Sequence, residues 1–135
     1  MITSLSYLYK SLRASAVLTG TYVAADVLGQ QGVGTMSDVV SNNQLVLYVA
    51  FTLGNLTSAQ IKVEFSDDGV TYYQESSESV SAGVSTVSLE ARTLSATGNY
   101  RIPVSIADRY IRVSAKGTGD TTNSLMAIAA TLSVR

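Results

Sequence analysis

The sequence predicts an all-β fold: a single antiparallel β-sandwich of the jelly-roll kind, with a short N-terminal arm or helix. From residue 44 onward, apolar residues recur mainly with a period of two, the period of a strand that buries one face. Turn-forming Gly, Asn, Asp and Ser residues separate these runs at short intervals. A chain of 135 residues fits one domain that is large enough to bury a core.

The N-terminal segment is open to two interpretations. Leu5, Leu8 and Leu12 fall at three- and four-residue intervals, as on one face of a helix, but the segment equally suits an extended arm. It precedes the first clearly alternating strand. Residues 1–12 are therefore interpreted as an arm, and residues 13–135 as the sandwich domain.

Residues 44–53, QLVLYVAFTL, are apolar at nearly every position. A strand covered on both faces has this composition, whether the cover is a second sheet and a loop or a neighbouring subunit. This run is predicted to be a central strand.

Further strands are predicted where apolar and polar residues alternate: QIKVEF at 60–65, NYRIPVSI at 99–106, RYIRVSAK at 109–116 and LMAIAATLSV at 125–134. The second of these contains Pro103, which lacks an amide donor. Its strand is therefore expected either to lie at a sheet edge there, where another chain can add, or to carry a local break.

The sequence SDDG at 66–69 separates two strands and predicts a tight turn. Gly69 supplies the positive φ that such turns require, so backbone sterics alone account for the motif. The alternative is a Ca²⁺ site that uses Asp67 and Asp68, although Ca²⁺ needs six to eight oxygen ligands and no acidic series accompanies them. For the chain as a whole, the sequence predicts no catalytic residue, no metal centre and no cofactor.

Tyrosines are numerous for a chain of this size. Tyr72 and Tyr73 are adjacent in a predicted strand, so one ring is expected to face the core and the other the surface. Together with Tyr48, Tyr100 and Tyr110 they are either a platform on which sugars stack, or core and interface residues with a hydrogen-bonded tip.

Composition argues against most enzyme chemistry. The chain contains no cysteine and no histidine, which removes thiol nucleophiles, imidazole bases and the usual zinc ligands. Alternation places Glu64 and Glu90 toward solvent, and nothing pairs the carboxylates as glycosidase acids. The protein is predicted not to be an enzyme.

Charge and hydropathy also restrict the partners. Nine basic and ten acidic residues give a net charge of −1, and the basic ones are dispersed, so nucleic acid is not expected to bind. No apolar run approaches the 18 or more residues of a membrane span, and the start of the chain lacks a signal-peptide pattern. The protein is expected to be made in a cytoplasm.

Two segments carry a family resemblance. SAVLTGTYVAADVLGQQ at 15–31 resembles a segment of small structural proteins encoded beside the capsid genes of tailed bacteriophages, in which a strand rich in Thr and Ala precedes a Tyr-x-x-x-Asp-Val-hydrophobic-Gly signature. The signature residues here are Tyr22, Asp26, Val27, Leu28 and Gly29. YRIPVSIADRYIRVSAKGTG at 100–119 is similar to the closing strands of the same β-sandwich.

The resemblance implies a virion structural protein: a capsid decoration, or cement, protein that binds the major capsid protein on the outer shell at capsomer junctions. A head-fibre or tail-fibre module that recognises a host surface is an alternative, as is a carbohydrate-binding β-sandwich module. A homo-oligomer is expected from the abundant apolar surface, and the resemblance favours a trimer.

The assembly interface is predicted to include leucines of the arm, the central strand and the proline strand: Leu5, Leu8, Leu12, Tyr48 and Pro103. These residues combine apolar surface with a strand edge, which are the features that association covers.

Overall fold

The computed structural model describes residues 7–24, 44–105, 108 and 110–133. All regular secondary structure within these residues is β-strand, as the sequence predicts. The strands in chain order are β1 (Tyr7–Ala16), β2 (Val23–Ala24), β3 (Gln44–Thr52), β4 (Leu56–Ser66), β5 (Tyr73–Gln74), β6 (Ser76–Ser81), β7 (Val84–Leu89), β8 (Arg92–Leu94), β9 (Gly98–Ser105), β10 (Tyr110–Gly119) and β11 (Leu125–Ser133).

The strands form two main antiparallel sheets and a separate hairpin. The first sheet has the order β1-β11-β3-β9, and the second has the order β2-β10-β4-β5, with β8 also paired to β4. The pairs are nested along the chain: β1 with β11, β2 with β10, β3 with β9 and β4 with β8, in alternating sheets. This folded ribbon is a jelly roll, so the predicted fold class is confirmed.

The core lies between the inner faces of the two sheets. The predicted alternation is confirmed in β4, β10 and β11, whose inward side chains are buried while their neighbours face out. The buried apolar set includes Leu18, Leu45, Leu47, Val49, Phe51, Ile61, Val63, Leu94, Val104, Ile111, Val113, Met126 and Ile128. Two such faces packed together exclude water from both, which is the main source of stability in a sandwich.

Strand β3 is central, as predicted, because it lies between β11 and β9. The expected cover on both faces is only partly present. Its inner face is buried, but on its outer face Tyr48 is 40% exposed and Ala50 is also exposed. An apolar run of this kind need not be covered throughout, since alanine is small and tyrosine carries a polar tip.

The N-terminal segment differs from the expected arm or helix. Residues 7–16 form β1, which pairs with β11 along its length. The domain boundary expected between residues 12 and 13 therefore falls inside a strand. An interval of four residues returns to the same face in a strand as well as in a helix, so leucine spacing alone did not distinguish them.

Pro103 lies in β9 at the edge of the first sheet, where the sequence places it. It stands opposite Val46 of β3 in the register. A residue without an N–H is tolerated at such an edge because no further strand requires the donor.

Candidate functional site

A groove crosses the outer face of the first sheet. Its floor consists of three small side chains, Ala50, Ala127 and Ala129, from the two central strands. Ala127 stands opposite Ala50 in the register, and Ala129 stands opposite Tyr48. The larger residues Tyr9, Ser11, Arg13, Asn99 and Arg101 come from the flanking strands, and together they enclose about 410 Å³. Small central and large peripheral side chains thus shape the groove.

Exposed aromatic rings and two cations surround this apolar floor. Tyr9 is 60% exposed and Tyr48 is 40% exposed. Arg13 is fixed because its guanidinium donates to the backbone carbonyls of Met126 at 3.1 Å and Val17 at 3.1 Å. Among the described residues, Arg101 has no ion-pair partner, and no carboxylate lines the groove. The groove is therefore apolar at its floor and positive at its rim.

A second feature is the β6–β7 hairpin, which consists of strands β6 and β7 and the turn between them. Its turn, predicted from the sequence SAG, has φ of 52° at Ala82 and 79° at Gly83. Two positive φ angles are typical of the hairpin turns whose twist matches that of the strands. Every residue of both strands is exposed, so the hairpin projects from the sandwich.

The two faces of the β6–β7 hairpin differ in polarity. The register places Val80, Val87 and Leu89 on one face together with Glu78, whose carboxylate accepts a hydrogen bond from the Ser85 hydroxyl. The opposite face carries one apolar residue, Val84, and five hydroxyls: Ser77, Ser79, Ser81, Thr86 and Ser88. The three apolar side chains are 67–70% exposed. The described chain therefore presents a contiguous apolar strip to solvent.

The base of the β6–β7 hairpin is held to the second sheet. The backbone N–H of Glu75 donates to the Val63 carbonyl at 2.9 Å, and the N–H of Glu90 donates to the Glu75 carbonyl at 2.8 Å. Arg92 contacts both carboxylate oxygens of Glu75, at 2.6 and 3.3 Å. Bidentate geometry fixes direction, so the hairpin is anchored although its strands touch little else.

The outer face of the second sheet carries a network of charges and rings. Glu64 lies on this face, but it is largely buried and not solvent-exposed as expected, because Arg112 binds it at 2.9 Å and Lys62 lies 3.6 Å away. The Arg112 guanidinium lies 4.1 Å from the centroid of the Tyr72 ring, and Lys62 lies 4.5 Å from that of Tyr22. Burial raises the pKa of both phenols, so these rings remain neutral. The network is internally satisfied.

The five tyrosines considered as a sugar platform do not share one surface. Tyr48 lines the groove, Tyr72 lies on Arg112 of the other sheet, and Tyr100 packs partly against the core. Tyr73 is 69% exposed and Tyr72 is half-buried on the outer face, so neither ring enters the core as the alternation predicted. Tyr73 belongs to the two-residue strand β5 at the sheet edge, where no second sheet covers it.

The motif at 66–69 forms the predicted turn. Gly69 has φ of 76°. One oxygen of Asp68, Oδ1, accepts hydrogen bonds from the backbone N–H groups of Val70 at 2.8 Å and Thr71 at 2.9 Å, and from the Ser66 hydroxyl at 3.0 Å. The Asp68 carboxylate therefore organises the turn. Within the described residues, no group of three acidic side chains is arranged to hold a metal ion.

We expect Asp68→Ala to destabilise the protein and Asp67→Ala, the matched control, to have little effect. Hydrogen bonds from Thr71, Val70 and Ser66 lower the pKa of Asp68. A carboxyl group whose pKa is lowered by folding stabilises the folded state at pH values above its unfolded-state pKa, which is about 3.9. This stabilisation is lost as the pH falls through the folded-state pKa. The difference in unfolding midpoint between wild type and Asp68→Ala should therefore shrink between pH 7 and pH 3 in denaturant titrations. A difference that grew at low pH would contradict this role.

Of the residues predicted to form an assembly interface, Tyr48 and Pro103 lie close together on the outer face of the first sheet, and Leu12 does not join them. Leu5 lies outside the described residues, and Leu8 lies in β1. Leu12 is 0% exposed and belongs to the core of its own chain, so it is not available to a partner. Tyr48 lines the groove, and Pro103 is exposed on the edge strand beside it.

Two exposed features were not identified from the sequence: Tyr9 in the groove, and the apolar strip of the β6–β7 hairpin. The spacing of Val80, Val87 and Leu89 among serines was the available signal for the strip. Of the signature residues that carry the family resemblance, Tyr22 contacts Lys62 and Lys116, and the others lie outside the described residues.

Comparison with protein-family models and with curated proteins finds no match. Among solved structures, the chain is similar to one described as Bacillus endospore appendages that form a novel family of disulfide-linked pili. The TM-score is 0.49 and the identity 10%, over 98% of this chain and 93% of that chain. No helix in the described part of the chain is long and apolar enough to cross a membrane.

Proposed function

We propose that the chain is a virion structural protein, a capsid decoration or cement protein that binds the major capsid protein on the outer shell at capsomer junctions. The observation that carries the proposal is the β6–β7 hairpin, whose apolar face is exposed in the single chain. An exposed apolar patch of this kind is typical of a surface that binds another protein. The sequence resemblance at 15–31 and 100–119 supplies the capsid as the assembly.

The rest of the surface fits a passive structural role. Hydroxyl side chains cover one face of the β6–β7 hairpin, and the ion pairs on the second sheet are internally satisfied. Such a surface suits broad contacts with neutral hydrogen bonds more than it suits catalysis or binding to a polyanion. We propose a non-enzymatic protein of the virion surface that forms a homo-oligomer, with a trimer favoured, and binds neither nucleic acid nor membrane.

The proposal is tested with empty shells assembled from the major capsid protein of a tailed bacteriophage, the class of partner proposed here. The protein should co-sediment with the shells, saturate at a fixed number of copies per capsomer, and raise the temperature at which the shells dissociate in scanning calorimetry. An unrelated soluble protein at the same concentration is the control. Absence of saturable binding at micromolar concentrations, with no change in shell stability, would refute the proposal.

Recognition of carbohydrate on a host surface is the second candidate, and the groove favours it. Tyr9 and Tyr48 present ring surface beside Asn99 and Arg101, and sugars are held by aromatic faces with polar groups nearby. In a glycan-array measurement, a glycan that binds wild type but not Tyr48→Ala would support this function. If the same protein also failed to bind shells, the carbohydrate function would replace the cement function.

A further inference from the structure

We propose that the β6–β7 hairpin of one copy docks with its apolar face in the groove on the first sheet of a second copy. The inference rests on the self-association proposed above and names the two surfaces that make it. Its test uses the protein alone, so its failure would leave shell binding untouched.

A partner would add stability to the β6–β7 hairpin, which the fold holds only at its base. An isolated two-stranded hairpin is marginally stable in water and becomes stable when a third strand or another surface covers its apolar side. All twelve strand residues of the β6–β7 hairpin are exposed, so no described part of the chain covers it. Val80, Val87 and Leu89 are therefore available to another molecule.

The groove is complementary to this face in shape and polarity. Its alanine floor leaves room for larger aliphatic side chains, and the rings of Tyr9 and Tyr48 provide apolar walls. Val87 and Leu89 on a strand are of the size and spacing that such a floor accepts. Burial on both sides would remove apolar surface from water, and contact through the face of the hairpin leaves the outer edges of β6 and β7 open to water.

Charge complementarity selects a second copy as the occupant. Glu78 lies in the middle of the apolar face, and its described partner is the neutral Ser85 hydroxyl. Arg101 lies at the rim of the groove without an ion-pair partner among the described residues, and no carboxylate lines that groove. Residues 76–91 contain two glutamates and no Lys or Arg. In the proposed contact, Glu78 of one copy thus supplies the anion and Arg101 of the next copy supplies the cation.

The two surfaces are different patches of the molecule, and this restricts the assembly. A contact between unlike patches gives a closed assembly in two ways. Two copies can each place their hairpin in the other's groove, or several copies can form a ring. A ring of three copies is the trimer favoured above. Hairpin and groove should both be occupied in every copy of a closed assembly.

Truncation of the apolar face is the first test. Leu89→Ser should weaken self-association by about 10- to 100-fold, measured by analytical ultracentrifugation over a concentration series, because it removes a buried leucine side chain from the contact. Ser88→Ala, the matched control on the opposite face, should leave association unchanged. Circular dichroism melting verifies that both variants are folded. A monomeric wild type, or equal association of the two variants, would overturn the proposal.

Charge reversal is the second test. Glu78→Arg and Arg101→Glu should each weaken self-association by about tenfold or more, and the double variant should recover most of the loss because the pair is restored with opposite orientation. If self-association of the double variant were weakened by the sum of the two single effects, Glu78 and Arg101 would not be in contact. If Leu89→Ser abolished shell binding and left self-association intact, the capsid protein would be the occupant, and this inference would fail while the cement function stood.

Discussion

Replacing Leu12 by alanine is expected to lower the free energy of unfolding by about 2–5 kcal/mol. Leu12 has no exposed surface and packs in the core between the two sheets, so truncation leaves a cavity that β1 cannot close without losing its register on β11. Urea denaturation, followed by far-ultraviolet circular dichroism, measures the change.

Ser11→Ala is the matched control for this prediction. Ser11 is the preceding residue of the same strand, is exposed and points to the opposite face, so its replacement should change stability by no more than about 0.5 kcal/mol. If Leu12→Ala left stability unchanged and reduced only self-association, Leu12 would belong to an assembly arm as the sequence suggested.

The position of Leu12 also changes what an N-terminal truncation should do. If residues 1–12 were a separate arm, as the sequence analysis interprets them, their removal would spare the sandwich and weaken assembly. Because residues 7–11 pair with β11 and Leu12 packs in the core, that truncation removes part of a strand and a core leucine together. It should therefore unfold the domain, and it cannot separate folding from association.

The sequence predicted the strands best where alternation decides between two faces. In β4 and β10, one face holds Ile61, Val63, Ile111 and Val113, and a shift by one residue would expose all of them, so the pattern and the structure agree. The continuous apolar run of β3 likewise placed it at the centre of a sheet. Short-range patterning contains this information because each strand is amphipathic by itself.

The sequence failed where an outcome depends on a neighbour. Alternation placed Glu64 outward correctly, but only the register shows that Arg112 stands opposite and covers it. The turn at residues 81–83 was predicted, yet alternation of Val and Ser does not show whether another sheet lies over the strand. The groove combines β1, β11, β3 and β9, which are distant in the chain, so no local pattern contains it.

The turn between β3 and β4 meets the turn between β10 and β11 at one end of the sandwich. The N–H of Asn55 donates to the Thr122 carbonyl at 3.1 Å, which holds the two turns together. Gly54 has φ of 59°, and a Cβ added there would lie 2.4 Å from the carbonyl carbon and oxygen of Asn123. Both obstacles are backbone atoms, so rotation of a side chain cannot relieve the contact.

Gly54→Ala is accordingly expected to lower the free energy of unfolding by about 3 kcal/mol or more, through left-handed strain and separation of the two turns. Gly83→Ala is the matched control: Gly83 has φ of 79°, but an added Cβ would meet nothing within 4 Å. It should therefore show the left-handed strain alone, about 1–2 kcal/mol. Thermal and urea unfolding measure the loss in free energy of unfolding for each variant. The difference between the two losses is the contribution of the contact between the turns. Equal destabilisation by the two substitutions would mean that the turns separate freely and do not join the ends of the two sheets.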